Sequence, residues 1–307
     1  MSSIENIRKL RDKYRSDLSK KSNVNGLGVG YKIINGKMTD EIVIRVYVER
    51  KLDNLPKNDQ IPSEIEGVKT DVIIRSSYSN VQSFGVDTAS FPTITGGINA
   101  GPAFVFADGI HHGTLGMIVR DIQTNKPLIL SSYHVFELGR LFQRGLEISQ
   151  PSGSNRIIAS VFRSSISSTI EASVALLHNQ VSFSPEIRNM GPVQGMVPDF
   201  ELDAMFRSHG RVRKFGIASG MTFGIMEGID EDFGTKFSFE SSPRSFFHQI
   251  QIRSADPTKP FSLPGDSGSC IIDDFGRAVG LLVGAGDDGK SYASRIQEVR
   301  NELQISF

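Results

Sequence analysis

The sequence predicts a mostly β fold: two barrels, over residues 91–195 and 196–307, behind a small N-terminal α+β segment over residues 1–90. Three observations carry this. From Ile94 onward, short apolar runs separated by turn residues recur at the spacing of barrels or sandwiches. Those runs fall into two sets, joined by the stretch from Pro185 to Pro198. Ahead of both, a helical periodicity gives way to alternating strands.

In the N-terminal segment, Ile4, Ile7, Leu10, Tyr14 and Leu18 recur every three or four residues among Lys and Arg, the pattern of an amphipathic helix capped by Ser2 or Ser3. Gly26-Leu-Gly-Val-Gly-Tyr31 leads into Lys32-Ile33-Ile34, Asn35-Gly36 predicts a hairpin turn, and Glu41 to Val48 alternates as a strand. Ile61-Pro62, Ile65-Glu66-Gly67 and Thr70 to Ile74 complete the segment. Gly26, Gly28 and Gly30 have the wrong spacing for a phosphate-binding fingerprint, and a strand follows them; they mark a strand that another group approaches closely. Ser76 to Pro92 reads as a linker.

First-barrel strands are expected at Ala103–Phe106, Gly116–Val119, Leu128–Leu130, Ile157–Phe162 and Ala172–Leu177. In the second barrel they are expected at Gly224–Ile229, Phe237–Phe239 and Phe247–Ile252, with a closing helix marked by Ile296, Val299 and Leu303. At 307 residues the chain is long enough for two or three units, and 38% hydrophobic with 22% charged residues is a globular composition. Lys plus Arg equals Asp plus Glu at 34 each, which argues against nucleic acid as a partner. The single cysteine, Cys270, excludes an intrachain disulfide and fits a reducing compartment. Met1 to Lys21 is charged, without the apolar core of a signal peptide, and no run is long enough to span a bilayer. A cytoplasmic protein is expected.

The chemistry centres on Phe261-Ser-Leu-Pro-Gly-Asp-Ser-Gly-Ser-Cys270. Ser267 lies in a tight turn between glycines, where successive N–H groups can be aimed at one point beside a hydroxyl, as acyl transfer requires. Cys270-Ile271-Ile272, the turn Asp273 to Gly276 and the run Ala278 to Val283 follow as a hairpin. This segment resembles the nucleophile segment of chymotrypsin-like serine proteases. A serine needs a base, and His134 emerges just past an apolar strand in Leu128-Ile-Leu-Ser-Ser-Tyr-His-Val-Phe136, which resembles the histidine segment of the same proteases. The base needs a buried carboxylate. No aspartate occurs between Asp121 and Asp199, and of the glutamates there only Glu171 directly precedes an apolar strand. Relatives carry Asp-x-Ala-x-Ala at that point, so Glu171 is one methylene longer.

Val212-Arg-Lys-Phe-Gly-Ile-Ala-Ser-Gly-Met-Thr-Phe-Gly224 resembles the opening of the second barrel in that family, with Ile217 where the pattern has Arg. Gly28-Val-Gly-Tyr-Lys32, the Ile-Pro pair and the Thr-Asp-Val run resemble the extension of bacterial relatives of the plant narrow-leaf type protease. The resemblance implies a two-barrel chymotrypsin-like fold and an intracellular serine endopeptidase: Ser267 the nucleophile, His134 the base, Glu171 the orienting acid, and the Gly265 and Ser267 amides the oxyanion hole. It implies a specificity pocket with Phe261 at its base and Val283, Gly284, Ala285 and Gly286 along one wall, without an acid to favour Lys or Arg. Asp266 is expected to be structural, and Thr93 before Ile94-Thr-Gly-Gly97 argues against activation by cleavage there.

No metal or other cofactor is called for; His111-His112 lacks companion ligands at useful spacing. The expected partner is a protein or peptide substrate, with neither nucleic acid nor membrane, and the N-terminal segment is the expected contact for a homo-oligomer or regulatory protein. Two rival readings come from other classes. One is a pseudoprotease that binds peptides or partners in the same cleft, motivated by Glu171 and Ile217. The other is a latent protease released by a partner or a change of oligomer, motivated by the extension.

Overall fold

A computed structural model describes residues 3–76, 85–104, 111–137, 144–237 and 242–307. Two expected strands, at Ala103–Phe106 and Phe237–Phe239, fall partly outside those residues. Among the described residues no helix is long and apolar enough to cross a membrane.

The N-terminal helix runs Ile4–Ser19, and Ser3 caps it by accepting a hydrogen bond from the Asn6 N–H at 3.1 Å. Its buried stripe of Ile4, Ile7, Leu10 and Leu18 joins a core with Leu202, Phe206, Ile229 and Ile250. The helix packs on the N-terminal strands Val24–Ile34 and Lys37–Val48 and shares their core with the second barrel. Asn35 and Gly36 take positive φ of 51° and 75° between paired Ile34 and Lys37, the turn the sequence predicts.

Strand Arg211–Gly216 pairs with both Cys270–Asp273 and Gly220–Thr235. That closes six strands into a ring with Ala278–Ala285, Ser291–Arg295 and Arg244–Ser254. The long strand Gly220–Thr235 then carries the sheet outward. It pairs with Val24–Ile34 at Val29 to Ile229, and Lys37–Val48 and Val68–Ile74 follow. The N-terminal strands are thus continuous with the second barrel's sheet. The other barrel is built on a seven-stranded sheet that includes Met117–Asp121, Pro127–Ser131, Ile157–Ile166 and Glu171–Leu177. Its edge strand is Ile305–Ser306 from the chain's end, paired to Met117–Asp121 after the helix Ile296–Leu303. A helix at Asp199–Arg207 lies between the two strand sets, where the sequence reading had placed only a connection.

Three consecutive acids, Asp230, Glu231 and Asp232, are buried in the long strand. Asp230 is met by Arg8, Arg295 and His248. Glu231 accepts from the Tyr47 hydroxyl at 2.7 Å and pairs with Arg45 at 3.5 Å. Asp232 accepts from Arg15 at 2.7 and 3.0 Å and from the Leu27 N–H at 2.9 Å. Burial would raise Asp230, but the His248 hydrogen bond and the charges of Arg295 and Arg8 outweigh it and hold its carboxyl well below the ordinary range. Burial pushes Glu231 up to about 7 against the pull of Arg45.

The glycine trio now has its reason. A Cβ on Gly26 would overlap Arg75, one on Gly28 the Glu231 carboxylate, and one on Gly30 the Arg45 guanidinium. Alternate residues of a strand share a face, so the three glycines form a groove that seats three charged side chains.

Gly28→Ala should therefore lower stability by about 3 kcal/mol, the upper range for overpacking. Gly85→Ala, with no described residue near its Cβ position, should stay within about 0.5 kcal/mol. Urea unfolding of both variants checks this, and equal midpoints would remove the groove argument. Stability contributed by a depressed acid is complete above its unfolded pKa, about 4 for Asp, and is lost as pH falls below it. Asp230→Asn should accordingly flatten the acid limb of a plot of urea midpoint against pH, and an unchanged limb would show that Asp230 does not shape it.

Candidate active site

His134 sits on a short helix, Tyr133–Phe136, directly after strand Pro127–Ser131. The first N–H groups of a helix have no partner within it. Here the His134 N–H donates to Glu171 Oε2 at 3.1 Å, while His134 Nδ1 lies 2.9 Å from Glu171 Oε1. One carboxylate thus caps the helix and orients the ring it carries. Glu171 is completely buried at the start of strand Glu171–Leu177. With its proton on Nδ1 and donated to Glu171, the neutral ring keeps its free lone pair on Nε2. Phe237 stacks on the imidazole, centroids 4.7 Å apart and planes at 27°.

Ser267 lies in a turn with Gly265 at φ 105° and Gly268 at φ 87°. Both values are in the region that glycine alone enters freely. The Asp266 N–H donates to Leu263 O and the Gly268 N–H to Leu282 O, each at 2.9 Å. The N–H groups of Gly265 and Ser267, between and before them, have no partner among the described residues, and both residues are partly exposed. The Ser267 hydroxyl donates to the Val283 carbonyl at 3.1 Å and makes no hydrogen bond to His134.

Asp266 organises the turn from beneath. It is fully buried and accepts from Lys214 Nζ at 3.0 Å, the Ser219 hydroxyl at 2.6 Å, and the Ala218, Ser219 and Leu263 N–H groups at 2.9, 3.1 and 2.9 Å. Lys214 is as buried as its partner. Burial pulls its ammonium below the ordinary value, and Asp266 opposes that. Thr114 ties the turn to the other barrel: its N–H donates to Ser267 O at 2.9 Å and its hydroxyl to Gly265 O at 2.8 Å.

Over 70% of this chain and 97% of Thermobifida fusca protease A, the two structures match with a TM-score of 0.50 at 14% sequence identity. The chain has the chymotrypsin-like serine protease fold. A Nocardiopsis protease matches over 70% of this chain and 98% of its own, with a TM-score of 0.49 at 15% identity. No family model and no curated protein matches the sequence.

The chymotrypsin-like fold brings His134 and Glu171 into contact and sets Ser267 beside the open amides. Of the residues the sequence assigned to a pocket, Gly284, Ala285 and Gly286 are partly exposed. Val283 is buried in an aromatic cluster with Phe233, Phe237, Phe246 and Tyr292. Phe261 differs from expectation. It is fully buried in the second barrel's core, where it abuts the Cβ position of Gly224 and lies 5.5 Å from Lys214 Nζ. Its ring is core packing, while its neighbour Ser262 bonds the Ser291 hydroxyl at 2.6 Å.

Cys270 is buried on its strand, and burial pushes its thiol up, away from reactivity. His112 bonds Asn99 at 3.1 Å. Among the described residues no three His, Cys, Asp or Glu side chains gather as a metal-ligand set. Sequence reasoning missed Lys214 and Phe237. The Val-x-Lys pattern was a signal for the first, and nothing local signalled the second.

Lys214→Met would leave the Asp266 charge buried without a cation and should cost about 3–5 kcal/mol. Lys214→Met with Asp266→Asn should recover part of that loss. Urea unfolding of the single and double variants measures both, and a single variant as stable as the wild type would rule out the pair as the turn's anchor.

Proposed function

We propose that the protein is an intracellular serine endopeptidase that hydrolyses peptide bonds through an acyl-enzyme. The observation that carries this reading is the buried Glu171 carboxylate, bonded to both the ring and the backbone N–H of His134. A glutamate spent on a surface strand would have no reason to take that geometry.

In this reading the Ser267 hydroxyl leaves Val283, turns to His134 Nε2 and attacks the scissile carbonyl carbon. The proton passes to His134, and the imidazolium is stabilised by Glu171. The oxyanion is met by the N–H groups of Gly265 and Ser267, which the turn leaves free. His134 then protonates the leaving amine, and water, deprotonated by the same ring, releases the acyl group. The peptide lies along Val283, Gly284, Ala285 and Gly286, which present no charge to it. The Lys214–Asp266 pair holds the turn in shape from within the second barrel.

A fluorophosphonate probe should label the wild type, and Ser267→Ala should abolish labelling with the fold intact. Unchanged labelling would remove Ser267 as nucleophile. Glu171→Gln should slow labelling by about ten-thousand-fold, the loss seen when a triad acid becomes an amide. Glu171→Asp should lose far less, since only reach changes. Equal rates for wild type and Glu171→Gln would show that another group orients His134.

A further inference from the structure

Behind the wall Val283–Gly286 stands Tyr292, completely buried on the neighbouring strand and paired to Gly284. A Cβ on Gly286 would come within 3.1 Å of its ring. Its hydroxyl is saturated: it donates to Asp288 at 2.8 Å and accepts from Gln251 Nε2 at 2.7 Å and Arg75 Nη1 at 3.2 Å. Arg75 comes from the N-terminal segment, one residue past strand Val68–Ile74. Its guanidinium carbon lies 3.5 Å from the Tyr47 ring centroid and 5.7 Å from that of Tyr292. The Tyr292 ring stacks on Phe233 at 4.3 Å and 10°. Phe233 shares a cluster with Val283 and with Phe237, the residue that stacks on His134.

A planar cation held against two aromatic rings is favourable where it is desolvated, and a tyrosine hydroxyl with three fixed partners has one orientation. We propose that Arg75 is a positioning residue for the substrate wall, acting through Tyr292. The N-terminal segment would then be a working part of the peptide-binding edge, and its removal would not unmask activity. This rests on the protease reading, because the wall is a substrate wall only if Ser267 is the nucleophile.

Two probes separate the ideas. A short alkyl fluorophosphonate reacts with Ser267 without using the wall, whereas a tetrapeptidyl diphenyl phosphonate needs both. Arg75→Met and Tyr292→Phe should each raise the KI of the peptidyl probe about tenfold, the worth of a buried hydrogen bond. The maximal inactivation rate and the alkyl-probe rate should stay within about threefold, and the double variant should be no worse than either single one. A fall in Tm with both probes unaffected, or an equal loss for both probes, would overturn the proposal. If neither probe labels the wild type, the protease reading has failed, and the bracing is judged by hydrogen exchange of residues 283–290 against residues 128–130 as internal reference. Exchange about tenfold faster in Arg75→Met and Tyr292→Phe is expected from the same loss. Unchanged exchange in both would end the bracing argument independently of catalysis.

Discussion

The burial of Asp230, Glu231 and Asp232 side by side in one strand is the constraint on which the rest of the structure depends. A carboxylate without a partner in a protein interior costs several kcal/mol, and three in succession would unfold an ordinary domain. Each of the three has at least one partner from the N-terminal segment: Arg8 for Asp230, Arg45 and Tyr47 for Glu231, and Arg15 with the Leu27 N–H for Asp232. Arginine suits this work, because its planar fork satisfies two oxygens at once and tolerates burial. The glycines at 26, 28 and 30 then follow, since their strand must give up side chains to admit Glu231 and the guanidinium groups of Arg75 and Arg45. The second barrel and residues 3–76 are therefore one electrostatic unit.

The same device operates once more beneath the nucleophile. Asp266 is drawn under its own turn by Lys214 and by three backbone N–H groups, and Gly216 leaves room for it, since a Cβ there would overlap the carboxylate. Among the described residues, the N–H groups of the two residues beside Asp266 have no partner. Anchoring the side chain inward turns the neighbouring peptide planes outward, which is how a charge with no chemical duty shapes a site that has one. Thr114 carries that shape across to the barrel bearing His134, and Ser132 adds a bond from beside the histidine to Leu282 O at 3.0 Å. The chain's last strand returns to the same barrel, so both halves are cross-braced.

What the sequence disclosed and what it withheld divide along the range of the interactions. Helix Ile4–Ser19, the Asn35-Gly36 turn and the strands around His134 and Ser267 were legible because periodicity and turn chemistry are local. His134 and Glu171 were found by pattern and elimination, and their contact is in the structure. The glycine trio could be recognised as a place of close approach, but the three charges that approach come from residues 45, 75 and 231. Phe237 is silent for the same reason, since it acts on a partner far along the chain. Helix Asp199–Arg207 escaped because only Leu202 and Phe206 point inward from it, too few to set a period. Phe261 was assigned to a pocket by counting back from Ser267, and counting fixes position without fixing which way a ring turns.

The glutamate at 171 is the most informative departure from the family pattern. Its two oxygens take the imidazole and the backbone N–H of His134 together. The consequence is geometric. Bonds from one rigid carboxylate plane to the ring nitrogen and to the main chain of the same residue fix the imidazole about its side-chain torsions as well as its tautomer. Ser132, which stands where a helix cap would be, makes no cap bond and donates instead to Leu282 O across the barrel interface. A longer acid does not loosen the constellation here. It takes over the capping of the short helix, and the helix, held at its first turn, presents the histidine to the turn that carries Ser267.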